Sequence, residues 1–265
     1  MTNSPDPRGA PATSATLWRP LVSGDGVEFA RARNEAINLV QWLARIAHSY
    51  VTGSAPERRA DLDFDAAGAS FTTQSFADGT ALQMRLPDLQ LQFLGNGKPV
   101  PHIFDPDGRS PAEVEAWILV ELLHRGIDRE KFSKALPYTI ADLMTGDAVD
   151  HELQACREGS MQLTALLGNA AAVLDAAACV SGARKVRIIG LPQTFSLTLA
   201  PDSGGQPIDL GFSPGDRQNP EPYFYIGGAA DQSQKLARRI ATGSALLTQD
   251  DPARAAAMLL KMAAG

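Results

Sequence analysis

Two carboxylates, Asp216 and Glu221, stand five residues apart in a loop that carries Pro214, Pro220 and Pro222, and Tyr223 and Tyr225 follow directly. A carboxylate pair in a stiff loop can hold a cation or divide acid and base roles. The second use needs one carboxyl with a raised pKa, from burial or a like-charged neighbour. The plainer alternative makes Asp216 a turn former and pairs Glu221 with an arginine such as Arg217. Ser213 has no base close to it in sequence, which argues against a nucleophile. Tyr223, Phe224 and Tyr225 alternate across a strand, so the two tyrosines share a face. With Phe224 turned to the core, the tyrosines face a groove and can stack on a ligand. The reverse arrangement, with the tyrosines as core residues bonding at the edge, is the one favoured.

The other chemistry-bearing residues read as structural. His48 shares a helix face with Asn34, Asn38, Gln41 and Arg45, a pattern of a solvated surface or, alternatively, of a polar cavity wall. His102 falls in a loop after Pro101, His124 at a helix C-terminus that suits its charged form, and His151 near a helix start. No two histidines share a metal-type spacing, so no metal or cofactor is expected. Asp105-Pro106-Asp107-Gly108 resembles the start of a calcium loop, but glycine comes fourth instead of sixth, and Ala116 stands where a glutamate is required. A turn and a helix cap account for it. No phosphate loop surrounds Gly204-Gly205 or Gly227-Gly228. Cys156 and Cys179 fall 23 residues apart in one predicted helix. That is ~34 Å at the helical rise, too far to pair, so both are expected as buried thiols.

These residues sit in a chain of 265 residues with 44% hydrophobic and 20% charged content and a net charge of −6. The core is ample, and the acidic balance excludes broad binding to nucleic acid or anionic membranes. No run reaches the ~20 apolar residues that cross a bilayer. The first 16 residues, rich in Pro, Ser, Thr and Ala, read as a disordered tail without signal-peptide features. A cytoplasmic protein is expected.

The elements that must position the loop follow from periodicity. An extended arm over 17–22 leads through a turn into a helix over 27–51, with Ala36, Leu39, Val40, Leu43, Ala47 and Tyr50 as its apolar stripe. Strands are predicted over 62–64, 69–76, 80–86 and 89–93, and a loop over 95–108. Ser110, Pro111 and Glu113 spell a capping box that starts a helix ending near Arg125. Residues 136–143 read as extended and 149–180 as a long helix, in which Gly159 and Gly168 mark a kink or a close approach. Strands over 185–191, 194–200, 208–212 and 223–226 follow, and Asp251 caps a last helix that begins at Pro252.

Both halves thus repeat arm, helix, four strands, helix. Residues 21–28 align with 143–150 at four identical positions, among them Gly24-Asp25 against Gly146-Asp147. The expected class is α+β, with two α-β4-α repeats (17–135 and 136–265) forming one curved antiparallel sheet. Such a duplication resembles TATA-binding-protein-like and helix-grip arrangements in topology. Within it, Pro87-Asp88 joins strands three and four of the first repeat, whereas residues 213–222 separate their counterparts in the second.

Gly211, Phe212, Pro214 and Gly215, then Pro220, Glu221, Pro222, Phe224 and Tyr225, resemble the late signature of a bacterial family known as a domain of unknown function. Members resemble one another in the strand pair after the long helix by carrying histidine there; this chain has none. The family brings no activity with it. The expected function is therefore a binding protein for a small molecule or peptide, with Ser213, Asp216, Glu221, Tyr223 and Tyr225 at a groove rim. The alternatives are a hydrolase or lyase using Asp216 or Glu221, and a structural protein in which the signature locks the repeats.

Overall fold

Short alternating strands joined by tight turns pair with their sequence neighbours. The computed structural model, which describes residues 26–54, 58–181, 186–201, 208–227, 238–242 and 251–264, follows that rule throughout. The first half supplies β1 (Leu62–Asp65), β2 (Ser70–Thr73), β3 (Thr80–Arg85), β4 (Gln90–Gly95) and β5 (Lys98–Phe104). The second supplies β6 (Val186–Leu191), β7 (Ser196–Pro201), β8 (Ile208–Ser213), β9 (Tyr223–Ile226) and β10 (Arg238–Thr242). They form one sheet in the order β10-β9-β8-β7-β6-β1-β2-β3-β4-β5. Every neighbouring pair is antiparallel, and the two meanders meet where Leu62 of β1 stands opposite Gly190 of β6. The class is α+β with an open antiparallel sheet.

Each half contains five strands where the sequence pattern indicates four. β5 reads as a loop because Pro99 and Pro101 cannot donate to a ladder. They are tolerated there because β5 is an edge strand that pairs on one side alone, with β4. β10, on the opposite edge, lies in a stretch whose polar composition hides a strand.

Four helices accompany the sheet among the described residues: α1 (Gly26–Tyr50), α2 (Pro111–His124), α3 (Arg157–Val180) and α4 (Pro252–Ala264). Leu39, Leu43 and Ile46 of α1, Phe93 of β4, Ile118 of α2, Leu167 and Leu174 of α3, Phe212 and Phe224, and Leu259 of α4 share one hydrophobic core that draws on both halves. The Ser110 capping box forms as its spacing requires, with Glu113 N donating to Ser110 Oγ at 3.3 Å and Ser110 N to Glu113 Oε2 at 2.9 Å. Asp251 Oδ1 likewise accepts from Ala253 N at 2.9 Å at the start of α4.

The long predicted helix is shorter than its pattern. α3 starts at Arg157 instead of 149, because the residues before it are engaged in tertiary bonds. Asp107 Oδ1 accepts from Leu153 N and Gln154 N, and His151 N donates to Arg109 O. Residues 143–150 therefore do not lead straight into a helix as residues 21–28 were expected to do. Of that pair, residues 17–25 lie outside the described residues, as do the predicted tail over 1–16 and both paired glycines at 204–205. Residues 136–143 form no strand but run irregularly along α1.

Gly159 is a point of close approach, but to a helix. A Cβ there would stand 2.6 Å from Glu28 C and 2.8 Å from Phe29 N of α1, while one on Gly168 would meet nothing within 4 Å. Residues Gln154–Val180 are long and apolar enough to cross a membrane by length and composition, contrary to the expectation that no such run exists. In this protein 72% of the most apolar window is buried, as befits a core helix. Cys156 is free and buried, and Cys179 is free and exposed, so the second is not the buried thiol expected.

Candidate functional site

The polar face of α1 organises the site. Most of it is withdrawn from solvent: Gln41 is fully buried, and Arg45 and Arg33 nearly so, while Asn34 stays exposed. Residues one turn apart hold down the irregular segment that crosses this face. Ser49 Oγ accepts from Ser133 N at 2.9 Å, and Arg45 Nε donates to Lys134 O at 3.1 Å. Tyr138 Oη donates to Gln41 Oε1 at 2.9 Å, and Asn38 Oδ1 accepts from Met144 N at 2.8 Å. Gln41 Nε2 also reaches Pro192 O at 2.9 Å, tying the helix to the β6–β7 turn.

One turn further toward the N-terminus, Arg33 grips the proline-rich loop. Its Nη1 donates to Pro214 O at 3.3 Å and to Pro220 O at 3.1 Å, one carbonyl on each limb. Burial lowers the guanidinium pKa from its ordinary value, opposed by the nearby Asp216 charge. Gly215 has a φ of +103° and its Cα faces Arg33 and Pro220, so the position takes no side chain. Gly211 lies under the Tyr225 ring, and a Cβ there would also stand 2.7 Å from Leu197 O. Both signature glycines are therefore required by contact.

Asp216 spends its oxygens inside the loop. Oδ1 accepts from Gln218 N at 2.7 Å and Asn219 N at 2.8 Å, and Oδ2 accepts from Tyr223 Oη at 2.6 Å. Burial, and then this bond, push the Tyr223 hydroxyl up to about 12. Asp216 is thus the turn former of the plainer alternative. Arg217 pairs with Asp142 across the gap to the 139–144 segment, and not with Glu221. Ser213 Oγ is buried and accepts from Gly215 N at 3.2 Å.

Phe224 is the core residue of the aromatic triplet, with no exposed surface, packed at a tilt against Phe212 with ring centroids 5.0 Å apart. This reverses the favoured arrangement for Phe224, whereas Tyr225 is buried with its hydroxyl bonded, as that arrangement had it. Tyr223 and Tyr225 share the opposite side, and Tyr225 donates from Oη to Ser196 Oγ at 3.3 Å. The pattern was legible; which side faced the core depended on the partner strand.

Between α1, the 139–144 segment, the β6–β7 turn and the loop lies a cleft of about 1050 Å³. Ser213, Asp216, Tyr223 and Tyr225 line it; Glu221 is not among its lining residues. Asn34, Asn38, Gln193 and Thr194, which the sequence did not single out as ligand contacts, line it too. Asn34 and Asn38 had a signal in the polar face of the first helix. Gln193 and Thr194 had none, because a turn becomes a wall only once the helix is docked. Asp216 and Glu221 do not converge on the cleft, and among the described residues no histidine lines it. On its wall, Glu35 Oε2 lies 2.6 Å from His151 Nδ1, whose ring lies behind, with His151 Nε2 buried without a hydrogen-bond partner.

Histidine spacing in the sequence hides one convergence. His102 proves to lie on β5, and there His102, Glu121 and His124 bring three ligand atoms within 4.8 Å of one another. Asp105 and Asp107 serve as turn and tether, as the poor calcium-loop fit requires. No family model, curated protein or solved structure matches this chain.

Proposed function

We propose that the protein binds a small, uncharged polar molecule or a short peptide segment in the cleft against α1. The observation that carries this reading is the cleft itself, of a size that suits a small ligand. Its chemistry narrows the class. The six charged side chains on its wall already have partners: Arg31 with Glu152, Arg33 with the loop carbonyls, Glu35 with His151, Asp142 with Arg217, and Asp216 with Tyr223. Asn38 is spent on Met144 N and Asn34 O, and the Thr194 and Ser196 hydroxyls bond each other. What remains for a ligand is the amides of Asn34 and Gln193 and the half-buried Tyr223 ring. A charged ligand would have to compete with those pairs.

The loop is the rim of this cleft and also a lock, since Arg33 fastens both of its limbs to α1. The lock supports the structural reading as a property of the same site, not as a rival to binding. The proposal includes a duplicated origin. Its support is the mirrored strand order, with a helix before and after each five-stranded meander, as the helix-grip-like arrangement would require. The two repeats would be 17–135 and 136–265, sharing one core. Membership of the family with the Gly211 to Tyr225 signature and a cytoplasmic location belong to the proposal as well.

The test is a ligand-observed NMR screen of uncharged nucleosides, sugars and N-acetyl dipeptide amides, with nucleotides, amino acids and polyamines as the charged arm, repeated on Asn34→Trp. Asn34 is exposed on the cleft wall, so a tryptophan fills the cleft without entering the core. Binders that lose at least about tenfold in affinity in Asn34→Trp are expected, a loss of ~1.4 kcal/mol. Binders unaffected by Asn34→Trp, or a set made up of charged compounds, would overturn the assignment.

A further inference from the structure

At the β5 edge of the sheet, away from the residues that line the cleft, β5 and α2 bring together an imidazole, a carboxylate and a second imidazole. We propose that His102, Glu121 and His124 form a binding site for a divalent transition metal of the zinc type. His102 Nδ1 lies 3.0 Å and His124 Nδ1 3.6 Å from Glu121 Oε1. Ligand atoms ~2.0–2.2 Å from a tetrahedral zinc stand about 3.3 Å from each other, and the two observed distances bracket that value. A two-nitrogen, one-oxygen set suits zinc, cobalt or nickel and is a poor match for calcium or magnesium, which take oxygen.

The carboxylate is the fixed member. Glu121 is buried to 3% exposure on α2, and Arg125 donates to its Oε2 at 2.6 Å and to its backbone carbonyl at 2.7 Å. The Arg125 guanidinium is itself held 4.4 Å from the Phe93 ring centroid. This clamp occupies one oxygen and leaves Oε1 aimed at the histidines, the positioning that ligating carboxylates receive from a neighbour.

The two imidazoles are the adjustable members. Their side chains are 64% and 56% exposed, and their ring centroids lie 6.1 Å apart. Both rings can turn onto a metal at little cost, and their exposure leaves the fourth position to water. The helical spacing of Glu121 and His124, three residues, puts both on one face of α2. The edge position of β5 presents His102 to that face.

The experiment is competition for Zn²⁺ against a chromophoric chelator, with untagged, metal-stripped full-length protein. The expected result is one Zn²⁺ per chain, weakened at least about 100-fold in His102→Ala/His124→Ala and unaffected by His48→Ala. Because both histidines are exposed, the double variant is expected to keep the wild-type far-UV spectrum. Glu121→Gln, read the same way, is expected to weaken binding as well. Absence of saturable binding, or equal affinity in the double histidine variant, would overturn the site.

Discussion

Replacing Arg33 by methionine tests whether the loop is held by α1. Methionine keeps most of the apolar stem, so the change removes chiefly the guanidinium. Two acceptors lose their donor. Pro214 O belongs to a buried residue, and an unsatisfied buried carbonyl costs about 1–3 kcal/mol. Pro220 is exposed, so its carbonyl can rehydrate, at a cost of roughly 0.5–1 kcal/mol. The sum is about 1.5–4 kcal/mol. For a chain of this size that lowers Tm by roughly 3–15 °C, measured by circular dichroism at neutral pH. A second signature separates the lock from general damage. Gly215 lies against Arg33, so Gly215→Ala should destabilise the wild type by more than it destabilises Arg33→Met. A Tm within about 1 °C of wild type in Arg33→Met, or strict additivity with Gly215→Ala, would refute the reasoning.

All four tyrosines of the chain have hydroxyls pushed above their ordinary value, in every case first by burial. Folding favours their neutral form, so the stability they contribute is complete below pH ~10, the unfolded value, and is lost as pH rises toward about 12, where Tyr50 and Tyr223 titrate. Absorbance at 295 nm should show no phenolate step near pH 10 in the native protein and the full step in urea; a native step there would contradict it. Gly168→Ala should raise Tm, by up to ~1 kcal/mol of helix propensity. Gly159→Ala should lower it, at about 1–3 kcal/mol, because the new methyl meets the α1 backbone. Shifts of the same sign in both variants would refute the helix contact.

The fold was legible where local pattern and tertiary role agree. β9 begins and ends where the Tyr223-Phe224-Tyr225 alternation puts it, and the Ser110 box places the start of α2. Legibility failed where a remote partner decides. Pro99 and Pro101 argue against a strand until β5 is known to be an edge. Residues 149–156 have helical composition, but Asp107, more than forty positions earlier in the chain, takes the amides of Leu153 and Gln154, and Arg109 O takes that of His151. The candidate site divides in the same way. The loop was conspicuous in sequence because its glycines and prolines are needed locally. Arg33, 181 residues away from Pro214, carries no sign of its role.

The polar residues of α1 explain why those two failures share a cause. A helix with an apolar stripe and a polar face normally buries the first and hydrates the second. Here Asn38, Gln41, Arg45 and Ser49 instead serve backbone and side-chain groups of a segment with no regular structure of its own, and Arg33 does the same for the loop. Irregular backbone near the interior needs partners for its amides and carbonyls, and one helical face at turn-by-turn spacing supplies them in series. The cleft is the gap left between the two irregular segments so fastened, bridged at one place by Arg217 and Asp142. Its shape is therefore set by α1 more than by the loop, and substitutions at Arg33 or Asn38 should alter binding there even when they touch no ligand.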